Sequence, residues 1–78
     1  MKVGGRIIQN KNIQTHNEDY FEATYKRHTI YIHLNKKGIM NDYYVEVSDI
    51  TGSKSVMGGV TRRCMHDAIV YALNGARL

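Results

Sequence analysis

The sequence predicts an α+β fold, in which a small antiparallel β-meander of three to four strands carries one C-terminal α-helix packed on one face. Apolar and polar residues alternate through several stretches between residues 20 and 60, as they do in strands with one buried face. After Met65 the apolar residues instead recur at the i, i+3, i+4, i+7 spacing of an amphipathic helix. With 78 residues, the chain is predicted to form a single domain spanning residues 1–78.

The N-terminal part of the chain carries few apolar residues that would anchor it. Val3 to Gln9 is predicted to form a short edge strand. Residues 10–19 are polar and asparagine-rich, which predicts a loop. Residues 1–19 as a whole have the composition of a poorly ordered terminus.

Tyr20 to Lys26 fits two interpretations. As a strand, the segment directs Phe21 and Ala23 to one face. As a helix, it has a capping box at Thr15 and Glu18, with acidic residues early and basic residues late. The strand is favoured because the next segment needs a pairing partner.

A β-hairpin with a basic tip is predicted next. Thr29 to Leu34 alternates aliphatic residues with polar ones, and Tyr43 to Ser48 repeats the alternation. The turn between them is predicted at Asn35–Gly38, where glycine can adopt a positive φ. A second turn at Asp49–Ser53 then leads into a further short strand, Ser55 to Val60.

The helix signals follow this strand. Gly58-Gly59 is predicted to let the chain swing from the sheet into the helix. Thr61 is the predicted N-cap, which places Arg62 and Arg63 in the first helical turn. Asn74-Gly75 is the predicted stop, because glycine takes the left-handed conformation that a C-cap needs. The predicted buried face consists of Met65, Ala68, Ile69, Ala72, Leu73 and Ala76.

Composition narrows the class of protein. The net charge of +4 favours association with nucleic acid or with an acidic protein surface. The one cysteine, Cys64, excludes an internal disulfide and is typical of a reducing cytosol. The sequence has neither an apolar run near the roughly 20 residues that cross a bilayer nor a signal-peptide pattern. The predicted location is therefore the cytoplasm, with no membrane partner.

No motif for catalysis, cofactor binding or metal ligation stands out in the sequence. Cys64 and His66 point about 200° apart around a helix, so they cannot pair directly. Cys64 is interpreted as a small, partly buried residue at the helix start. The histidines lack the spacing of zinc sites. The chain is therefore predicted not to be an enzyme, with no catalytic residue, no cofactor and no metal.

Two groups of basic residues are candidate contacts to a partner. Arg62 and Arg63, at the positive end of the predicted helix, are typical of a site for phosphate or carboxylate groups. The alternative is that neighbouring acids such as Asp67 offset them. The other group consists of Lys36 and Lys37 on the hairpin tip, with Lys26 and Arg27.

Tyr31, Tyr44 and His33 are predicted to project from the strand face opposite the apolar one. With a single helix available, that face is predicted to be open. Tyrosines flanked by lysines can stack nucleobases, as in single-strand binders, or form a protein-binding patch. Tyrosine is also simply a good strand former.

Several segments together resemble a family of small proteins encoded by phages and prophages. They are YYVEVSD, then TGS, GG, DAI and ALNGARL in the C-terminal half. The stretch Tyr25-Lys26-x-His28-Thr29-Ile30 resembles the preceding strand of those proteins, although Arg27 stands where glycine is common. Anti-CRISPR proteins belong to this type. The resemblance implies no catalytic residues and implies an inhibitor that occupies a surface of a host protein.

The function expected from the sequence is that of a non-enzymatic, phage-encoded inhibitor of the anti-CRISPR type in the host-cell cytoplasm. It would bind a host defence or nucleic-acid-handling protein complex and block it sterically. One alternative is a small basic domain that binds nucleic acid directly, and another is a homodimeric regulatory module formed by edge-strand pairing. The expected contacts are Arg62, Arg63, Lys36, Lys37, Lys26, Arg27, Tyr31 and Tyr44.

Overall fold

The computed structural model describes residues 1–37 and 39–78, without the side chain of Lys37. A five-stranded antiparallel sheet, in which each strand pairs with the next along the chain, is joined by a two-stranded hairpin and one helix. The hairpin consists of β1 (Lys2–Val3) and β2 (Arg6–Ile7), and a 3-10 turn at Asn10–Asn12 follows it. The sheet consists of β3 (Ile13–His16), β4 (Tyr20–Tyr25), β5 (His28–Lys37), β6 (Met40–Asp49) and β7 (Lys54–Thr61), and the helix α1 spans Met65–Gly75.

The α+β class and the C-terminal helix are confirmed, but the predicted number of three to four strands is too small. The additional strands lie in residues 1–19, where an edge strand and a loop were expected. Val3 and Ile8 are buried in the same core as the helix, and they hold the N-terminal hairpin against it. Within the expected loop, β3 pairs with β4 through a bulge.

Alternation of side chains builds the core as expected. Tyr20–Tyr25 is a strand, because Phe21 and Ala23 are buried on the face that the helix covers. Strands β5 and β6 contribute their aliphatic residues to the same face. The buried core consists of Val3, Ile8, Phe21, Ala23, Ile30, Ile32, Tyr43, Val45, Val47, Met65, Ala68, Ile69, Ala72 and Leu73.

The helix begins later than the sequence predicts. Thr61 is the last residue of β7, and its hydroxyl donates to Asp42 Oδ1 of β6 at 2.6 Å instead of capping the helix. Cys64 occupies the N-cap position with an extended backbone, and it is exposed rather than partly buried. Arg62 and Arg63 therefore precede the helix and do not lie in its first turn.

The helix also ends differently. Gly75 is still helical, and the left-handed residue is Arg77, at φ 58°. The N–H of Leu78 donates to the carbonyl of Leu73 at 2.9 Å, which closes the C-terminus. A Cβ atom at Gly75 would lie 3.0 Å from Val56 Cγ2 of β7. This glycine therefore permits close packing of the helix on the strand.

The connections between the later strands differ in detail. Gly58-Gly59 lies within β7 rather than at the exit from the sheet, with Gly58 at φ 145°. Strand β5 extends to Lys37, so the turn predicted at Asn35–Gly38 begins later, and Gly38 itself lies outside the described residues. The turn at Asp49–Ser53 is present, closed by the Gly52 N–H donating to the Asp49 carbonyl at 3.0 Å. In the part of the chain that the structure describes, no helix is long and apolar enough to span a membrane.

Candidate functional site

Helix α1 and the N-terminal hairpin pack on one face of the five-stranded sheet, and the described residues leave the other face uncovered. We term this uncovered surface the open face. Its side chains come from alternate residues of β4 to β7, which the antiparallel register aligns in cross-strand rows. One row consists of Tyr20, His33, Tyr44 and Gly59, and the next of Glu22, Tyr31, Glu46 and Met57.

Aromatic rings meet across these rows. Tyr20 stacks on His33 with ring centroids 4.9 Å apart and ring planes only 2° from parallel. Tyr31 and Tyr44 approach each other in a tilted arrangement at 6.4 Å. Tyr20 is 43% exposed and Met57 is 65% exposed. The open face therefore presents a set of apolar and aromatic groups to solvent.

Carboxylates lie among these rings. Glu22 and Glu46 are the cross-strand neighbours of Tyr31 on its two sides. The hydroxyl of Tyr44 donates to Glu46 Oε1 at 2.7 Å, and this hydrogen bond raises the pKa of Tyr44 above its usual value. Lys54 Nζ lies 3.9 Å from the same carboxylate. The middle of the open face is thus both aromatic and acidic.

Sequence reasoning placed Tyr31 and Tyr44 on this face, and the structure brings the two rings together. The sequence prediction also placed His33 on this face, but it did not single out Tyr20, Glu22, Glu46 or Met57 as site residues. The signal was present for β5 and β6, whose alternation already assigns His33 and Glu46 to the side of the tyrosines. The contribution of Met57 depends on the register of β7, which no local pattern specifies.

The predicted basic groups are divided differently in the structure. Lys36 pairs with Asn41, whose carbonyl accepts the N–H of Arg62 at 3.1 Å. The Asn41 side chain donates to the carbonyl of Arg63 at 3.0 Å. One end of the sheet therefore brings together Lys36, Arg62 and Arg63 with the backbone of Lys37. We term it the basic end.

Lys26 and Arg27 lie at the opposite end of β5 from Lys36. They form the two-residue connection between β4 and β5, and both have positive φ, at 48° and 64°. Such values are those of a type I′ hairpin turn. The expected grouping of these two residues with the hairpin tip does not occur.

The two arginines before the helix have separate partners. Arg63 Nε lies 3.2 Å from Asp67 Oδ2, so the expected offset by Asp67 is present at this arginine. The guanidinium of Arg62 lies over the Tyr71 ring at 4.8 Å and donates to the carbonyl of Thr61 at 2.7 Å. Neither arginine has a carboxylate partner other than Asp67 among the described residues. Arg62 therefore keeps its charge available for a ligand.

A metal centre finds no support in the described residues, because no three His, Cys, Asp or Glu side chains come close enough to hold an ion. Comparison of the chain with protein-family models, with curated proteins and with solved structures gives no match. The resemblance to phage-encoded proteins thus stays a prediction.

Proposed function

We propose that this chain is a non-enzymatic binding protein that attaches to a basic protein surface through the open face. The observation that carries the proposal is the alternation of rings and carboxylates in the row Glu22, Tyr31, Glu46, Met57. Tyrosine and methionine are enriched at protein interfaces, and tyrosine among the residues that dominate binding energy. Carboxylates at such a surface complement lysine and arginine on the partner.

The same row argues against direct nucleic-acid binding by the open face. A nucleobase stacked on Tyr31 would bring its phosphates towards Glu22 and Glu46, where like charges repel. Single-strand binders instead combine their stacking rings with a positively charged groove. The open face lacks that combination within the described residues, since Lys36, Arg62 and Arg63 lie at the basic end.

The narrower proposal is that the chain inhibits its partner sterically, as a phage-encoded protein of the anti-CRISPR type acting in the host cytoplasm. It rests on the resemblance, to which the geometry adds one supporting point. Complexes that handle nucleic acid carry basic surfaces, and an acidic, aromatic sheet face is complementary to such a surface. A sheet laid over that surface would exclude the nucleic acid.

The test is a pull-down of the tagged chain from bacterial lysate, with and without nuclease. Three proteins are compared: the unchanged chain, the open-face variant Tyr20→Ser/Tyr31→Ser, and the control Ile7→Ser/Ile50→Ser. The control removes exposed apolar side chains, at 63% and 69% exposure, outside the open face. We expect a stoichiometric protein partner that survives nuclease, is retained by the control and is lost by the open-face variant.

Two outcomes would contradict the proposal. Partners that disappear with nuclease would favour the nucleic-acid alternative. A partner that the open-face variant still captures as well as the unchanged chain does would remove the open face from the interface. Circular dichroism of all three proteins ensures that a lost partner does not reflect a lost fold.

A further inference from the structure

The sheet has two edges, and they differ in their capacity to accept another strand. β3 has four residues and a bulge in its pairing with β4. Short and bulged edge strands resist further pairing. At the other edge, β7 has eight residues and no neighbouring strand on its outer side among the described residues. β7 is therefore the edge that can be extended.

The backbone of β7 presents hydrogen-bonding groups outwards. The N–H of Arg62 donates to Asn41 of β6, so it points into the sheet. Because backbone groups alternate in direction along a strand, those of Thr61, Gly59 and Met57 point away from β6. The Thr61 carbonyl agrees with this, since it accepts from the Arg62 guanidinium outside the sheet. The outward-pointing N–H and C=O groups in the middle of the strand are therefore those of Met57 and Gly59.

A groove runs alongside this edge. Its walls are β7 and the outer flank of α1, and its volume is about 890 Å³, within the range of binding clefts. Apolar groups of Val56, Met57, Val70 and Tyr71 line it. The polar lining includes Arg62, His66 and Asp67, and the Asp67 carboxylate is offset by Arg63 at 3.2 Å. We term it the edge groove. Side chains of an added strand that point towards the helix would pack on Val70 and Tyr71.

Cations mark both ends of the edge. Lys54 is the first residue of β7, and Arg62 directly follows the last and lines the edge groove. In a symmetric antiparallel pairing of two β7 strands along their length, Lys54 of one copy would face the Thr61–Arg62 end of the other. Such like-charge contacts are destabilising, so the edge disfavours a second copy and favours an acidic strand.

We propose that β7 and the edge groove bind an extended, acidic peptide segment of a partner protein as a sixth strand of the sheet. Main-chain hydrogen bonds to Met57 and Gly59 would supply affinity, and the groove with Arg62 would supply selectivity. The site shares Met57 and Gly59 with the margin of the open face, but it uses their outward backbone groups and the groove beside α1. Arg62→Glu therefore tests this site without changing any side chain of the open face.

The test uses two end-blocked nine-residue peptides in which valine and threonine alternate, one with glutamate at both ends and one with lysine. Each is titrated into the isotope-labelled chain and followed by NMR. We expect the glutamate peptide to shift the amide signals of Met57, Gly59 and Thr61, and to bind at least about fivefold more tightly than the lysine peptide. Arg62→Glu should weaken binding of the glutamate peptide about fivefold. Arg27→Glu, the same charge change at the β4–β5 turn, should leave the affinity unchanged.

Gly59→Pro tests the backbone contribution, because it removes one outward N–H without removing a side chain. This variant should also weaken binding of the glutamate peptide. Equal binding of the two peptides, no binding of either, or shifts confined to β3 or to the open-face residues of β4 to β6 would overturn the proposal. A concentration-dependent mass of two chains, with β7 amides protected from exchange, would replace it with a homodimer. If Gly59→Pro fails to fold, the comparison of Arg62→Glu with Arg27→Glu still tests whether the peptide binds at this edge.

Discussion

Thr61 and Gly75 each match a local pattern for a helix boundary. In the structure, however, a contact with a residue far away in the chain determines the role of each. The Thr61 hydroxyl bonds a carboxylate 19 positions earlier, at Asp42. Gly75 is placed by the close approach of the helix to Val56. Intrinsic preferences at caps are worth about 1 kcal/mol, so a single contact across the fold outweighs them. A local pattern therefore locates this helix without specifying its ends.

The turn at Asp49 was predicted from the sequence, and the structure adds its electrostatics. Asp49 Oδ1 accepts from the Thr51 hydroxyl at 2.6 Å, the Thr51 N–H at 2.8 Å and the Ser53 N–H at 3.1 Å. These bonds, that from the Thr51 hydroxyl foremost, lower the pKa of Asp49 below its ordinary value of 3.8. The ionised form is thus favoured in the folded chain.

Asp49→Asn should therefore lower the free energy of unfolding at neutral pH. A carboxyl whose pKa is depressed by folding stabilises the fold above its unfolded pKa, and this contribution is lost as pH falls through the folded pKa. The difference between the two proteins should shrink below about pH 3.8 in urea unfolding experiments. Thr51→Val should raise the pKa of Asp49 in an NMR titration. A stability difference that does not change with pH would show that the charge is not responsible.

Lys26 and Arg27 occupy positions where a side chain is a disadvantage. Both have positive φ, and residues with a Cβ atom lose roughly 1–2 kcal/mol in that conformation. Lys26→Asn/Arg27→Gly introduces the pair that a type I′ turn prefers. We expect the free energy of unfolding to rise by about 1 kcal/mol, measured by urea denaturation. Arg27→Lys should leave it unchanged, and a destabilised Asn-Gly variant would contradict the turn geometry.

At the scale of elements, periodicity predicted what is long and regular. Strands β5 and β6 and helix α1 each contain enough alternate or helical positions to reveal a buried face. The pattern of Tyr20–Tyr25 fitted a helix as well, and no local pattern specified the register of β7. The hairpin of β1 and β2 reveals no buried face, because two-residue strands have no period. The buried side chains of this segment are Val3 and Ile8. The N–H of Ile8 donates to the carbonyl of Met1 at 2.8 Å, which joins the two ends of the hairpin. That arrangement depends on tertiary contacts, so no local sequence pattern predicts it.

Ile7 and Ile8 test the role of this hairpin with a matched pair of neighbours. Ile8 has no exposed surface, whereas Ile7 is 63% exposed. Ile8→Ala should lower the free energy of unfolding by about 2–4 kcal/mol, as buried aliphatic truncations do. Ile7→Ala should change it by less than about 0.5 kcal/mol. Similar urea midpoints for the two variants would mean that the N-terminal segment does not dock on the core.

At the scale of the whole molecule, the net charge of +4 conceals an uneven distribution. Carboxylates lie among the rings of the open face, the basic end gathers Lys36, Arg62 and Arg63, and Lys26 and Arg27 lie at the far end of β5. Sequence reasoning named these cations but grouped them wrongly, because strand direction decides which end each one reaches. A sum of charges therefore overstates the basic surface that one ligand meets.

This separation sets an upper bound on any direct binding of nucleic acid. One strand can contact the basic end or the β4–β5 turn, but the acidic open face lies between them. With the side chains of Lys36, Arg62 and Arg63 at the basic end, the slope of log K against log salt for single-stranded DNA should be no steeper than about −2. Fluorescence anisotropy with an oligothymidine across a salt series measures that slope. Charge reversal at Arg62 should make it shallower by roughly 0.7, whereas Arg27→Glu should not change it. A slope near −5, sensitive to both arginines, would mean that the two basic regions engage one strand together, and it would restore direct nucleic-acid binding as the leading function.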